Sequence, residues 1–314
     1  MECLVTGGGG FIGSTLVGHL LARGDSVRVL DNGSTGRRDN LAEYRGYEWC
    51  DGDIRDRDCL KAAVRGMDWV FHLAAIASVP RSFADPFENE AVNAGGTLAV
   101  FEAARRAGVR RVVYSASAAV YGDATTLPLR EDARPNPQSP YGIAKFTGEL
   151  YSGLYHRVHG LETVALRYFN VYGPRQDPSS SYSGVLSRWI DALLQCRSPV
   201  LHGDGSQTRD FIYVDDVARA NLLAATQPAA NVAGRVFNVA TGIASNLRAV
   251  LELLIELTGA GVTPVSEPAR LGDIPHSVAD CTRTRQHLGF EAEVALRDGL
   301  ERTLATWPRT ALAK

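Results

Sequence analysis

The chain of 314 residues has few cysteines, no long apolar run and no excess of positive charge. Its five cysteines, Cys3, Cys50, Cys59, Cys196 and Cys281, are odd in number and scattered, without the spacing of a metal site. We therefore expect reduced thiols, no disulfide framework and no bound metal, as is usual for a cytoplasmic protein.

Charge and hydropathy exclude two further classes of partner. The 33 Lys and Arg residues are balanced by 35 Asp and Glu residues, and the net charge is −2, so no basic stripe indicates a nucleic-acid partner. No apolar run reaches the roughly 18 residues that a membrane helix needs. The chain opens on a short β-like segment, so neither a membrane span nor a signal peptide is expected.

The first residues combine an apolar segment, a glycine run and a helical pattern. Residues 2–6 are typical of a strand, residues 7–13 contain five glycines, and apolar residues then recur at helical spacing. This order is the context of a dinucleotide-binding turn. Gly7 and Gly10 would let the backbone turn tightly and approach a pyrophosphate, and Gly13 would allow close helix–strand packing. The helix N-terminus would add partial positive charge.

A carboxylate follows the second predicted strand. Residues 26–30 are apolar and β-like, and Asp31 comes directly after them, close to the expected distance of about 20 residues from the glycine run. A carboxylate there can accept hydrogen bonds from both adenosine ribose hydroxyls and repels a 2′-phosphate, which favours NAD. Arg37 and Arg38 keep NADP open as an alternative, and a turn cap is the plainer interpretation of Asp31.

Near the middle of the chain, Ser117 precedes Tyr141 and Lys145, which are four residues apart. On a helix that spacing places the two side chains on one face. A tyrosine has a reference pKa of about 10, and a nearby ammonium should lower it by favouring the phenolate. Ser117 could then hydrogen-bond a substrate hydroxyl. A surface helix with an ordinary tyrosine and a solvated lysine would show the same spacing, but the glycine-rich start favours the catalytic interpretation.

Strand and helix patterns alternate through the first half. The predicted strands are 2–6, 26–30, 47–50, 68–73, 110–115 and 163–168. The predicted helices are 13–23, 40–45, 57–65, 88–107 and 141–158. Alternation without hairpin signals predicts an α/β fold with a doubly wound parallel sheet of the Rossmann type. Its ligands should gather where the strands end, near residues 51–54, 72–75 and 115–117.

The second half has a different texture. Segments 172–182 and 196–208 are rich in Pro, Ser and Gly, and helical patterns occupy 185–195, 215–226, 246–258 and 297–306. We expect an NAD-binding domain over 1–170, with a later crossover strand within about 209–242, and a smaller α/β substrate domain over 171–314. Arg209 and Arg270 could clamp a diphosphate through paired guanidinium donors, although either could be an ordinary solvated arginine.

Taken together, these residues resemble the extended short-chain dehydrogenase/reductase family, and within it the UDP-sugar 4-epimerases. The matching segments are 6–13, 31–32, 52–54, 72–75, 93, 115–122, 141–145, 167–176, 203–211 and 270–273. With the glycine turn, the resemblance implies NAD contacts from Gly7, Gly10, Phe11, Ile12, Gly13, Asp31, Asn32, Asp53, Ile54, Leu73, Ala74, Ala75, Asn93, Ser115, Tyr141, Lys145 and Tyr168. It implies UDP-sugar contacts from Ser117, Tyr141, Asn170, Val185, Arg209, Arg270, Asp273 and Ser277.

The resemblance also implies a reaction. Tyr141 would take the proton of the sugar 4-hydroxyl while carbon 4 gives its hydride to NAD, and the 4-keto sugar would turn and take the hydride back on its other face. Related dehydratases and decarboxylases carry acidic residues just after the catalytic Ser or Thr. This chain has Ala118 and Ala119 there, which disfavours those activities. An epimerase/reductase and a non-catalytic NAD-binding regulator remain alternatives from other classes.

The resemblance also indicates which sugars the protein accepts and which oligomer it forms. Ser277 matches a position that is either tyrosine or a small residue in the family, and a small residue goes with tolerance of N-acetyl groups. Arg81 or Arg188 could instead meet a carboxylate, so a UDP-glucuronate 4-epimerase stays open. Family members pair two helices across a two-fold axis. We therefore expect a homodimer through the helices at 88–107 and 141–158, whose apolar residues include Val92, Leu98, Phe101, Leu150 and Leu154.

Overall fold

A computed structural model of the protein describes residues 1–176, 184–269 and 274–307. The strands are β1 (Glu2–Thr6), β2 (Ser26–Asp31), β3 (Tyr47–Asp51), β4 (Trp69–His72), β5 (Arg111–Ser117), β6 (Glu162–Tyr168), β7 (Asn170–Tyr172), β8 (Val200–His202), β9 (Thr208–Arg209), β10 (Phe211–Tyr213), β11 (Arg235–Val239), β12 (Ser245–Asn246) and β13 (Val265–Glu267). The α-helices are α1 (Phe11–Ala22), α2 (Arg57–Ala63), α3 (Val79–Ala84), α4 (Pro86–Glu90), α5 (Thr97–Ala107), α6 (Pro140–His159), α7 (Val185–Leu194), α8 (Val214–Thr226), α9 (Ala229–Val232), α10 (Leu247–Thr258) and α11 (Leu296–Thr306).

Seven strands form one parallel sheet in the order β11-β6-β5-β4-β1-β2-β3. Helices α1 and α8 cover one face, and α2, α5 and α6 cover the other. Because both faces are buried, the strands are almost continuously apolar, as in Cys3, Leu4 and Val5 of β1. The predicted doubly wound parallel sheet is confirmed.

Helix α6 has clear start and stop signals in the sequence. The Ser139 hydroxyl caps it by accepting from the Gly142 N–H at 3.1 Å, and Pro140 occupies the first helical position. Gly160 ends it in the left-handed conformation at φ 68°. These signals place Tyr141 in the first turn, at the carboxyl edge of the sheet.

The remaining described chain packs beside that edge. Helices α7, α10 and α11 share an apolar core that contains Trp189, Leu251 and Leu300. This region also contains three separate two-stranded ladders, β10 with β7, β12 with β9 and β13 with β8, and β7 follows directly after β6 of the main sheet. Strand β11 returns to the main sheet beside β6. The second region therefore forms a wall next to the ends of β5 and β6.

Two helix predictions need correction. The predicted helix at 40–45 is wrong, because the chain forms only a short 3₁₀ turn at Arg38–Leu41. There the Asn40 side chain donates to the Gly9 carbonyl at 2.8 Å and holds the segment over the glycine turn. The predicted helix at 88–107 is divided into α4, a π-helical segment (Ala91–Gly96) and α5, and it is preceded by α3, which was not predicted.

The expected apolar face for dimerisation is wrong in one residue. Phe101 is completely buried in the core between the sheet and α5. Val92 and Leu98 are partly buried against the same core. Leu150 and Leu154 of α6 are exposed, as a docking face requires.

Three further observations concern the cysteines, membrane-spanning helices and metal-binding groups. All five cysteines are free in the structure. Within the described ranges, no helix is long and apolar enough to cross a bilayer, and no group of three or more His, Cys, Asp or Glu side chains could hold a metal ion. The cytoplasmic location stays a prediction.

Candidate active site

The glycine turn between β1 and α1 is packed so tightly that side chains would not fit. Gly7 has φ +71°, and a Cβ there would lie 2.7 Å from the Ala74 nitrogen. A Cβ on Gly13 would collide with the Gly7 carbonyl oxygen. Gly10 donates to that same carbonyl at 3.1 Å. Phe11 and Ile12 then begin α1, whose first N–H groups point out of the turn as an anion site requires.

Asp31 is held beside this turn at the end of β2. One carboxylate oxygen accepts from the Gly9 N–H and the other from the Gly33 N–H, each at 2.9 Å. Each oxygen retains a second lone pair that a ribose hydroxyl could use. Arg38 is one of the two arginines that kept NADP open as an alternative, and its guanidinium lies 5.6 Å from the centre of the Trp49 ring. The geometry of the turn and of Asp31 therefore fits a dinucleotide.

The ends of β2 and β3 are joined by a polar pair. Asn32 donates to Asp53 at 2.9 Å, and Arg55 donates to the same carboxylate at 2.7 Å. These hydrogen bonds, that of Arg55 first, hold the pKa of Asp53 well below its usual range. Ile54 is buried beneath the adjoining π-helical segment, against Gly96. The predicted cofactor residues of both strands thus lie together.

The loop after β4 is fixed by the buried Asn93 side chain. Asn93 accepts from the Ile76 N–H at 2.8 Å and donates to the Ile76 carbonyl at 3.0 Å, which pins the chain just after Leu73, Ala74 and Ala75. Asn93 therefore fixes the conformation of the loop that follows β4.

A buried histidine supports the same loop and was not singled out from the sequence. The His72 ring bonds Thr6 at 2.8 Å and Thr97 at 2.9 Å. Burial, aided by the charge of Lys145, lowers the pKa of His72 to about 3, so the ring is neutral. The sequence signals were its position at a strand end and its place in segment 72–75, which matches the family.

Ser117, Tyr141 and Lys145 meet at the ends of β5 and α6. The Ser117 hydroxyl accepts from the Ala119 N–H at 3.2 Å, and it is close enough to the Tyr141 phenol to lower the pKa of that group. The buried Lys145 ammonium donates to the Ser115 carbonyl at 2.7 Å and lies 5.9 Å from the centre of the Tyr141 ring. The sequence prediction that these three side chains are neighbours agrees with this geometry.

The predicted effect of Lys145 on Tyr141 is not what these side chains produce. Burial raises the pKa of Tyr141, and the neighbouring Ser117 hydroxyl lowers it by less. Burial also lowers the pKa of Lys145 to about 7, while the charge of Glu149 raises it. We expected Lys145 to lower the pKa of Tyr141. That expectation is wrong, because burial of Tyr141 is the largest effect and raises its pKa.

Tyr168 ends β6 and lies opposite Ser117 in the parallel register. Its hydroxyl donates to Asn221 of α8 at 2.9 Å, and burial raises its pKa above the usual range. This side chain belongs to the core between the sheet and α8. Any contact that it makes with a cofactor would come from the strand end, next to Ser117.

A cleft of about 510 Å³ opens beside this edge, and three predicted substrate residues line it: Asn170, Val185 and Arg209. Arg188, one of the two candidates for meeting a carboxylate, lines it as well. The other candidate, Arg81, is paired with Glu88 at 2.7 Å.

Of the other predicted substrate residues, Ser277 is half-buried next to β9. Its N–H donates to the Thr208 carbonyl at 3.1 Å. Arg270 and Asp273 lie outside the described residues. Sequence reasoning missed the buried Asp210, although it directly follows Arg209.

The fold and these side chains define a class: a dinucleotide-binding α/β protein with a Ser/Tyr/Lys set beside a cleft suited to a second, polar ligand. The model of the NAD dependent epimerase/dehydratase family matches residues 3–240. The chain belongs to this family.

Known relatives are similar over nearly the whole chain. The UDP-glucose 4-epimerase of Mycolicibacterium smegmatis is 43% identical over 310 residues, covering 97% of each chain. The crystal structure of a Thermotoga maritima UDP-glucose 4-epimerase with UDP-glucose has a TM-score of 0.92 at 38% identity, covering 98% of each chain. A UDP-N-acetylglucosamine 4-epimerase from Methanobrevibacter ruminantium, in complex with UDP-N-acetylmuramic acid, has a TM-score of 0.92 at 37% identity, covering 97% of each chain.

Proposed function

We propose that this protein is an NAD-dependent 4-epimerase of UDP-hexoses, interconverting UDP-glucose and UDP-galactose through a transient 4-keto sugar. The observation that carries the proposal is the meeting of Ser117, Tyr141 and the buried Lys145 at the end of β5 and the start of α6, in a chain that also has the glycine turn and a cleft lined by Arg209. Residues 1–170 together with β11 would hold NAD, and 171–314 would hold mainly the nucleotide sugar. The match to the NAD dependent epimerase/dehydratase family supports the assignment of NAD. The relatives named above support the assignment of a UDP-sugar.

Each side chain of the set has a defined task. Tyr141 takes the proton of the sugar 4-hydroxyl as carbon 4 loses its hydrogen with both bonding electrons, and it returns that proton after the ring has turned. General base catalysis of this kind contributes about 10²–10⁴-fold. Ser117 holds the same sugar oxygen. Bound NAD supplies a reversible hydride acceptor and a positive charge on its nicotinamide.

Burial gives Tyr141 and Lys145 opposite tendencies. Burial makes the phenolate costly, because it raises the pKa of Tyr141, and it brings the pKa of Lys145 to about 7. A proton can therefore leave either group at moderate free-energy cost once positive charge is bound nearby. The pair is placed to hold and release one proton within the site.

The residues of the cleft favour tight binding of the nucleotide and weak binding of the sugar ring. Arg209 provides a cationic donor for a diphosphate, whereas Ala118 and Ala119, next to Ser117, provide no acid for dehydration. Ser277 is small, which supports acceptance of an N-acetyl group at carbon 2. UDP-glucuronate is the second candidate substrate, because Arg188 lines the same cleft.

Assaying the three substrate pairs in parallel tests this proposal. UDP-glucose, UDP-N-acetylglucosamine and UDP-glucuronate should be offered at equal concentration, with product epimers separated by chromatography. We expect 4-epimers from UDP-glucose and from UDP-N-acetylglucosamine, with no net consumption of NAD. Production of a 4-keto-6-deoxy sugar, or no product from any substrate, would contradict the proposal.

The proposal includes a homodimer. Helix α6 exposes Ile143, Leu150, Leu154 and Val158, which are 51%, 57%, 41% and 63% accessible and share one face at helical spacing. Phe87 of the adjacent α4 is 86% accessible. A contiguous apolar patch of this kind marks an interface, and a two-fold pairing would bury it on both copies.

Light scattering coupled to size exclusion tests the assembly. At micromolar concentration we expect twice the chain mass, and Leu154→Glu should give the monomer because it places a charge in the paired face. The control must lie away from this face of α6, which excludes Thr147→Glu. Glu252→Lys on α10, remote from α6, should stay dimeric. A monomeric wild-type protein would reject the homodimer.

A further inference from the structure

Asp210 lies between β9 and β10 and is completely buried. One of its carboxylate oxygens accepts from the Thr241 N–H at 2.8 Å and from the Thr241 hydroxyl at 2.7 Å. The other accepts from the Gly242 N–H at 2.9 Å and from the Ala279 N–H at 3.2 Å. A single side chain thus joins two loops that are distant in sequence.

The same residue is connected to the cleft through its backbone. Its carbonyl accepts from the Asn170 N–H at 3.0 Å, and Arg209 is its neighbour in the chain. Ala279 is two residues from Ser277, whose N–H donates to the Thr208 carbonyl. Three residues that we assign to the UDP-sugar therefore come from three segments that meet at Asp210.

These segments have little regular structure to hold them in register. Strand β9 has two residues and pairs with the two-residue β12. Segment 275–280 makes only isolated bridges, from His276 to Thr208 of β9 and from Ala279 to Leu129. Ladders this short provide few backbone hydrogen bonds. Thr208 donates to the Pro275 carbonyl and accepts from the Ser277 N–H through its backbone. The Asp210 carboxylate adds the hydrogen bonds that reach Thr241, Gly242 and Ala279 together, and charge-assisted bonds of this kind are short and strong.

A buried carboxylate can also serve stability alone, and Asp216 is an example. It accepts from the Glu293 and Val294 N–H groups, at 3.1 and 3.0 Å, and from Arg219. It is 1% exposed, like Asp210, but it joins α8 to the segment before α11 and touches no segment that carries a predicted substrate residue. The two aspartates thus separate a positioning role from a purely structural one.

We propose that Asp210 is a positioning residue for the nucleotide sugar, holding Arg209 and Asn170 at a set separation from the Ser277 segment. The inference rests on the proposed function, because its ligand is the UDP moiety. Asp210 itself touches no substrate. Its carboxylate fixes the wall of the cleft, so its loss should weaken binding of UDP without disabling the proton transfer at Tyr141.

The test compares Asp210→Asn with the matched control Asp216→Asn in the full-length protein. An asparagine presents an NH₂ group to N–H donors that now bond a carboxylate, so each variant loses hydrogen bonds at one hub. We expect Asp210→Asn to raise the UDP dissociation constant and the KM for UDP-glucose by about 10-fold or more, measurable by calorimetry and steady-state kinetics. Its kcat should stay within about 3-fold, and NAD should remain bound.

The control should show the opposite pattern. Asp216→Asn should lower the melting temperature about as much as Asp210→Asn does. It should leave UDP binding within about 2-fold of wild type. Equal effects of the two variants on UDP binding, or unchanged UDP binding in Asp210→Asn, would overturn the inference. Wild-type protein that does not bind UDP would overturn the proposed function and this inference with it.

A gentler variant covers the case in which Asp210→Asn does not fold. Thr241→Val keeps the shape and removes the hydroxyl that donates to Asp210 and accepts from the Ile243 N–H. Thr303→Val removes a buried hydroxyl that donates to the Gly299 carbonyl of α11 at 2.6 Å. We expect about 3-fold weaker UDP binding for the first and no change for the second. Equal UDP affinities in the two variants would overturn the inference.

Discussion

The NAD edge and the nucleotide-sugar cleft are built in different ways. At the NAD edge, the site residues lie at the ends of consecutive parallel strands, and the register of the sheet brings Asp31, Asp53 and Ser117 to one side. At the cleft, Asn170 and Arg209 lie on strands of three and two residues and Ser277 lies on a loop, and the segments that carry them meet at the buried Asp210. The first site is a consequence of topology, and the second depends on individual long-range hydrogen bonds. Changes at one should therefore leave the other largely intact.

The largest expected effect separates chemistry from nucleotide binding. Tyr141→Phe keeps the ring and removes the ionisable oxygen, so turnover should fall at least about 10²-fold. UDP affinity should stay within about 2-fold, because Arg209 and Asn170 are unchanged. Turnover by coupled assay and UDP binding by calorimetry measure the two. Near-normal turnover would show that Tyr141 is not the base.

A change at the glycine turn should affect only the cofactor. Asp31→Ala removes the acceptor for the Gly9 and Gly33 N–H groups and for the ribose hydroxyls. We expect NAD affinity to fall by about 10-fold, the loss of roughly one charge-assisted hydrogen bond, with UDP binding unchanged. Denatured wild-type protein should release NAD. Release of mainly NADP would show that Arg37 or Arg38 governs the site.

A change at the cleft should discriminate between sugars. Ser277→Tyr adds a ring where we place the 2-substituent, and extra volume in a packed site costs about 1–3 kcal/mol. Turnover of UDP-N-acetylglucosamine should fall by about 10-fold or more, while turnover of UDP-glucose changes little. Ser277→Ala is the control and should affect neither. Equal losses on both substrates would place Ser277 away from the sugar.

The smallest expected effect is a pH dependence of stability at the NAD edge. Burial lowers the pKa of Lys145 to about 7, below its unfolded value, so the unfolded chain binds more protons above that pH. Stability should therefore rise as pH increases from 7 to 8, by about 1 kcal/mol from this group. Urea unfolding of wild type and Lys145→Met measures it as the difference between their pH slopes. Identical slopes would contradict the lowered pKa.

How far sequence reasoning reached follows the same division. The glycine turn, Asp31 and the Tyr141/Lys145 pair were predictable because each depends on local conformation plus the order of parallel strands. The interpretation failed at 40–45 and at Phe101, where the fold overrides local periodicity: Asn40 bonds the Gly9 carbonyl, and Phe101 turns into the core.

The cleft was predictable only in its chemistry. Arg209 could be proposed from residue type and resemblance, but the hydrogen bonds from Thr241, Gly242 and Ala279 to Asp210 join residues 31 to 69 positions away. No periodicity in a single sequence encodes such contacts. For the same reason, the raised pKa of Tyr141 could not be derived from its spacing to Lys145, since burial decides it.

The central claim is that hydrogen leaves carbon 4 as a hydride and returns to the same carbon while Tyr141 handles the proton. It is tested most directly with UDP-glucose carrying deuterium at carbon 4, incubated with the protein in ordinary water. We predict UDP-galactose that retains deuterium at carbon 4, identified by NMR and mass spectrometry. Loss of that deuterium to water would contradict the mechanism.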